Sequence, residues 1–160
     1  MCLMVWLGSA TPLAGVTPPE APDAAPEALH VRPEPADAPV RRQFVQPYVH
    51  SIGSHESCGC GFRSRQLGLE GFDVVADVLP LLPALFEDER NEFLAEQRSR
   101  ERLHALVRAA LCGGDVEVFS CWAGDETEIP AVVKDVSPDY FADHLNPLEE
   151  GAKYRIRRER

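Results

Sequence analysis

The apolar positions of this chain fall into short blocks whose period changes along its length. Residues 2–7, CLMVWL, are apolar without interruption and predict a buried strand. Residues 44–52 give the next strand. Pro47 interrupts it, so pairing is expected to begin beyond that residue, with Tyr48, His50 and Ile52 on one face and Val49 and Ser51 on the other. Residues 116–121 alternate, with Val116, Val118 and Ser120 opposed to Glu117, Phe119 and Cys121. Shorter blocks at 129–133 and 154–157 predict two further strands.

Between these blocks the period lengthens. Residues 87–111 read as one long helix. Glu87, Asp88, Glu89 and Glu92 sit at its positive end, Arg108 lies near the other, and Glu96 and Arg100 form a favourable i,i+4 pair. Gly113 and Gly114 follow and end it. Phe93, Leu103, Leu106, Val107, Ala110 and Leu111 make an apolar stripe at its two ends. The intervening EQRSRER is polar all round and predicts an exposed middle. Residues 67–85 are apolar but broken by Pro80 and Pro83, which leaves room for one short helix at 71–78. Ser137 before Pro138 reads as an N-cap opening a short helix that runs to His144.

Residues 18–39 hold half of the fourteen prolines and can continue neither a helix nor a central strand. They predict a surface loop with a short edge strand at 29–31. No internal repeat appears, and strands do not alternate regularly with helices. The expected fold is therefore α+β, a single domain over residues 1–160. An antiparallel or mixed sheet carries the long helix on one face, and residues 152–160 form a terminal strand and basic tail.

Charge and cysteine count narrow the function. A net charge of −10 opposes a phosphate backbone, so nucleic acid is not an expected partner. The one basic concentration is KYRIRRER, with Lys153, Arg155, Arg157, Arg158 and Arg160. It reads as a solvated terminal segment or as a contact for an acidic protein partner. No run approaches a membrane span, and no basic residue precedes Arg32 to open a secretory signal. Five cysteines exclude a fully paired disulfide framework. A cytoplasmic location with free or metal-bound thiols is the expectation.

One loop concentrates chemistry. GSHESCGCGFR, residues 53–63, places His55, Cys58 and Cys60 within six positions. Thiolate and imidazole are the usual zinc ligands, and zinc takes four. The loop supplies three, and Cys2, His50 or Cys121 is the candidate fourth, Cys2 being the first choice. Zinc is thus the cofactor this reading favours, on His55, Cys58, Cys60 and Cys2. Two other readings stay open. Cys58 and Cys60 can act as a redox dithiol. The loop can equally be packing in a non-enzymatic interaction protein, its glycines serving a turn of positive φ. The opening Met-Cys resembles glutamine-dependent amidotransferases, whose N-terminal cysteine is a nucleophile, but the long catalytic domain of that family is absent. Phosphate-loop spacing and a Gly-x-Ser-x-Gly elbow are absent from the sequence. Cys112 is expected to be buried, His104 to lie at a surface or boundary, Trp122 to be a core or rim aromatic, and His30 and His144 to stand isolated.

Three pieces, MCLMVWLGS, VHSIGSHESCGCGF and DVEVFSCWAGDE, resemble a family of small uncharacterised bacterial proteins. The resemblance implies that Cys2, Ser54, Cys58, Cys60, Phe62 and Trp122 are family features. It carries no activity with it.

Overall fold

The computed structural model describes residues 2–13, 29–62, 87–143, 146 and 148–158. The short helix expected at 71–78 and His144 lie outside these residues, as do 18–28 of the proline-rich segment.

Six strands form one mixed sheet: β1 (Leu3–Ser9), β2 (His30–Pro33), β3 (Tyr48–Gly53), β4 (Val116–Trp122), β5 (Val132–Asp135) and β6 (Ala152–Ile156). Their order is β2-β3-β1-β4-β6-β5. Every neighbouring pair is antiparallel except β5 with β6. The single long helix, α1 (Glu87–Leu111), has the predicted limits, so the chain is α+β. Among the described residues no helix is long and apolar enough to cross a membrane.

The alternation read from the sequence assigns the two faces. Leu3, Val5 and Leu7 of β1, Val116 and Val118 of β4, and Ala152, Tyr154 and Ile156 of β6 pack with Leu103, Val107 and Ala110 of α1. Each such aliphatic side chain contributes about 1.5–3 kcal/mol when fully buried. The opposite face is covered too. Trp6, Val49, Phe119 and Cys121 pack under Val40 and Phe44 from the segment that joins β2 to β3. Both faces of β1 are therefore dry, which is why its sequence reads as an unbroken apolar run.

That covering segment is fastened by charge. Lys153 Nζ lies 2.7 Å from Glu117 Oε1, and both side chains are largely buried. Glu117 Oε2 accepts the Val45 backbone N–H at 2.7 Å, and Lys153 donates to the Gln43 carbonyl at 2.5 Å. Replacing Glu117 with glutamine keeps an acceptor but removes the charge. The expected cost is about 1.5–3 kcal/mol of folding stability, read by urea unfolding.

Several expectations are corrected. The middle of α1 is not exposed: Glu96, Ser99 and Arg100 are buried. The Arg100 guanidinium reaches four backbone carbonyls, at 3.0 Å for Phe62, 3.4 Å for Tyr140 and 2.6 Å for both Asp143 and Asn146. A polar run can enter a core when its donors find acceptors there. Burial lowers the Arg100 pKa, while Tyr140, Asp143, Tyr154 and Glu96 oppose that shift and favour the cation. The expected strand at 129–133 moves to Val132–Asp135, and Ile129 stands exposed. The last strand begins at Ala152, two residues early. Ser137 makes no side-chain cap, and the residues after it form only a 3-10 turn, Pro138–Phe141. Cys112 is exposed, one residue past the end of α1.

Candidate metal site at the start of the first strand

The site is built where β3 runs out. At Gly53 the chain leaves the sheet and turns: Ser57 N–H donates to the Ser54 carbonyl at 2.9 Å, and Ser54 N–H to the Cys58 carbonyl at 2.7 Å. Ser57 takes the left-handed conformation, φ 64°, that the return requires. The fully buried Ser54 hydroxyl accepts the N–H groups of Glu56 and Gly61, each at 3.2 Å. A 3-10 turn, Gly59–Phe62, then carries Cys60 and ends on Phe62, which is fully buried.

The two glycines beside the cysteines have a steric cause. Neither has a positive φ; among described glycines only Gly114, Gly124 and Gly151 do. A Cβ on Gly59 would stand 2.6 Å from Val5 Cγ2 and 2.9 Å from the Leu3 carbonyl oxygen. A Cβ on Gly61 would stand 2.5 Å from Ser54 Oγ. The missing side chain of Gly59 lets the turn lie directly on β1 and that of Gly61 makes room for Ser54 and the His55 ring, and this corrects the expectation that they serve a positive-φ turn.

That contact brings Cys2, at the start of β1, to the loop. The sulfurs of Cys2, Cys58 and Cys60 all lie within 4.8 Å of one another. Two of them already accept backbone N–H groups, Cys60 Sγ from Leu3 at 3.3 Å and Cys58 Sγ from Cys60 at 3.4 Å. Such bonds stabilise negative sulfur. Burial pushes the Cys58 thiol up to about 11. The Cys60 N–H pulls the other way, and the Cys60 and Cys2 sulfurs beside it add to the rise. Zinc–sulfur bonds of about 2.3 Å put tetrahedral sulfurs about 3.8 Å apart, so closing the site around an ion needs side-chain shifts of no more than about 1 Å.

The other expected ligands fall elsewhere. His55 is not in the cluster. Its backbone N–H and its Nδ1 lie 3.3 and 3.0 Å from Ser99 Oγ on α1, and its ring rests against Gly61. His50 is buried in β3, and burial lowers its pKa, with Arg41 adding to the shift and Glu34 opposing it. Cys121 faces the opposite side of the sheet beneath Trp6 and Phe119. Cys112 lies where α1 turns toward the start of β4, whereas Cys2 meets the end of β4 through the Ala123 N–H. His104 lies at the boundary, 3.2 Å from Asp139, and Trp122 is a rim aromatic packed against the core. His30 is not isolated, since its Nε2 lies 3.2 Å from Ser57 Oγ. The supporting groups Ser99 and Arg100 carry no sequence signal, because both sit inside a polar run.

These environments set thiol reactivity. Burial pushes the Cys121 thiol up to about 12, and Glu126, Asp125, Glu128 and Glu150 add to the shift. In native, reduced and metal-free protein at neutral pH, alkylation followed by mass spectrometry should mark the exposed Cys2 and Cys112 first. Cys121 should stay unmarked until the protein unfolds.

No protein-family model, no curated protein and no solved structure matches this chain.

Proposed function

We propose that this protein binds a transition-metal ion, zinc being the favoured one, through the thiolates of Cys2, Cys58 and Cys60. The observation that carries the reading is the convergence of three sulfurs from two chain segments to within 4.8 Å. Soft thiolates in such a set select zinc and other thiophilic metals over calcium or magnesium. The backbone N–H groups aimed at Cys58 and Cys60 are the kind of outer-shell support that orients metal thiolates.

A dithiol redox role for Cys58 and Cys60 is the second reading, favoured by the contact between the two residues. The raised Cys58 pKa runs against it, since thiols that exchange readily have lowered values. An interaction protein whose loop is only structural is the third.

Elemental analysis of protein purified under reducing conditions separates the three. Stoichiometric zinc is expected, with the cluster thiols protected from alkylation until a chelator is added. Metal-free protein whose Cys58 and Cys60 form a disulfide in air would move the assignment to redox chemistry.

A further inference from the structure

We propose that the bound ion is an exchangeable cargo, and that its fourth coordination position takes a thiolate from an incoming partner. This inference rests on the metal-binding reading and adds what the site is for.

Three features lead to it. The first is exposure. Cys2 is exposed and Cys58 and Cys60 are half-buried, so the sulfurs sit at the rim of the sheet. Structural zinc is instead closed by four protein ligands.

The second is that the turn is held by contacts of its own. Leu3, Val5 and Phe62 are already fully buried. The cysteine turn is held by the Ser54 hydroxyl, by the contact of Gly59 with β1, and by Arg100 on the Phe62 carbonyl. The backbone that carries Cys58 and Cys60 is thus fixed by protein contacts and not by the sulfurs alone.

The third is the donor count. Among the described residues three thiol donors converge, and the other candidates are turned away toward Ser99, into β3 or to the far face of the sheet. The further donor beside them is the carboxylate of the exposed Glu56, with Oε2 3.9 Å from Cys58 Sγ. A carboxylate oxygen is a harder ligand than a thiolate, so on a thiophilic ion an incoming sulfur displaces it or the water that stands in its place.

The step is a ligand substitution with no change of oxidation state. An incoming R–SH releases its proton to solvent, its sulfur bonds to the ion, and the water or Glu56 carboxylate leaves. Further partner thiolates can then replace Cys2, the most exposed of the three ligands, and after it Cys58 and Cys60, each displaced sulfur taking a proton from solvent, which passes the ion on. The partner is accordingly a protein or small molecule that presents accessible thiols.

Cobalt(II) reports this directly, because sulfur-to-cobalt charge-transfer absorption follows the number of Co–S bonds. Full-length reduced protein is loaded with Co(II), then titrated with glutathione as the probe thiol. The near-ultraviolet charge-transfer band should rise about 1.3-fold as three Co–S bonds become four. Circular dichroism should stay constant, and a chelator should then withdraw the metal without unfolding the chain. A band that starts at the four-sulfur intensity and does not respond, or unfolding on chelation, overturns the exchange role and leaves the metal site standing as structural. Failure to bind Co(II) or zinc at all overturns both readings.

Discussion

Replacing Arg100 with alanine is expected to cost about 3–5 kcal/mol of folding stability, from several buried carbonyls losing their donor together with the cavity left by the side chain. The guanidinium ties three stretches that the sequence keeps far apart: α1, the end of the cysteine turn at Phe62, and the carbonyls of Tyr140, Asp143 and Asn146 at and beyond the 3-10 turn. Alanine leaves those carbonyls without their donor in a place water reaches poorly, and it opens a cavity the length of an arginine side chain. Thermal unfolding should shift down by on the order of 10 °C in a chain of this size. Lysine keeps the charge but offers one nitrogen where four carbonyls were shared between two, so Arg100→Lys should fall between wild type and alanine. A shift of only a degree or two for Arg100→Ala would show that the carbonyls find other donors.

The second large effect concerns the cluster. Cys60→Ser is expected to weaken zinc binding at least 100-fold, measured by competition with a chromophoric chelator. Cys60 lies at the centre of the arrangement. Its sulfur takes the Leu3 N–H from β1 and its own N–H meets Cys58 Sγ, so it joins the two segments as well as offering a ligand. Serine presents a harder oxygen that stays protonated at neutral pH. Cys58→Ser and Cys2→Ser should act in the same direction, with Cys2 the mildest because its exposed position can be filled by solvent. His55→Ala should leave metal affinity nearly unchanged, since that side chain serves Ser99 and not the sulfurs. Loss of binding in His55→Ala at unchanged stability would return the imidazole to the ligand set.

What the sequence disclosed, and what it withheld, follows from the range of the interactions. Strands β1, β3 and β4 were legible because their alternation or apolarity is local, and α1 because acidic residues open it and two glycines close it. Strand β5 was misplaced because Ile129, the most apolar-looking residue of its block, stands in solvent. The strand's pairing with β6 is parallel and leaves no local signature. The buried middle of α1 was illegible for the same reason in stronger form. The Arg100 Nη groups donate to carbonyls 38 to 46 positions away, and no window of sequence contains both.

The candidate site was half legible. Two thiols one residue apart, together with a cysteine at the start of a strand, announced a convergence that the register of β1 completes. His55 was drawn in by spacing alone. The turn closed by Ser57 separates it from the sulfurs and hands its ring to α1. Gly59 and Gly61 stand out in the sequence, but their cause lies in the packing: they clear space for β1 and for Ser54.

X-ray absorption at the zinc edge, on protein expressed with zinc and purified under reductant, tests the central claim most directly. One zinc per chain with a shell of three sulfurs at about 2.3 Å is the predicted result, together with loss of sulfur from that shell in Cys2→Ser. Metal-free protein, or zinc surrounded by nitrogen and oxygen alone, would contradict the account.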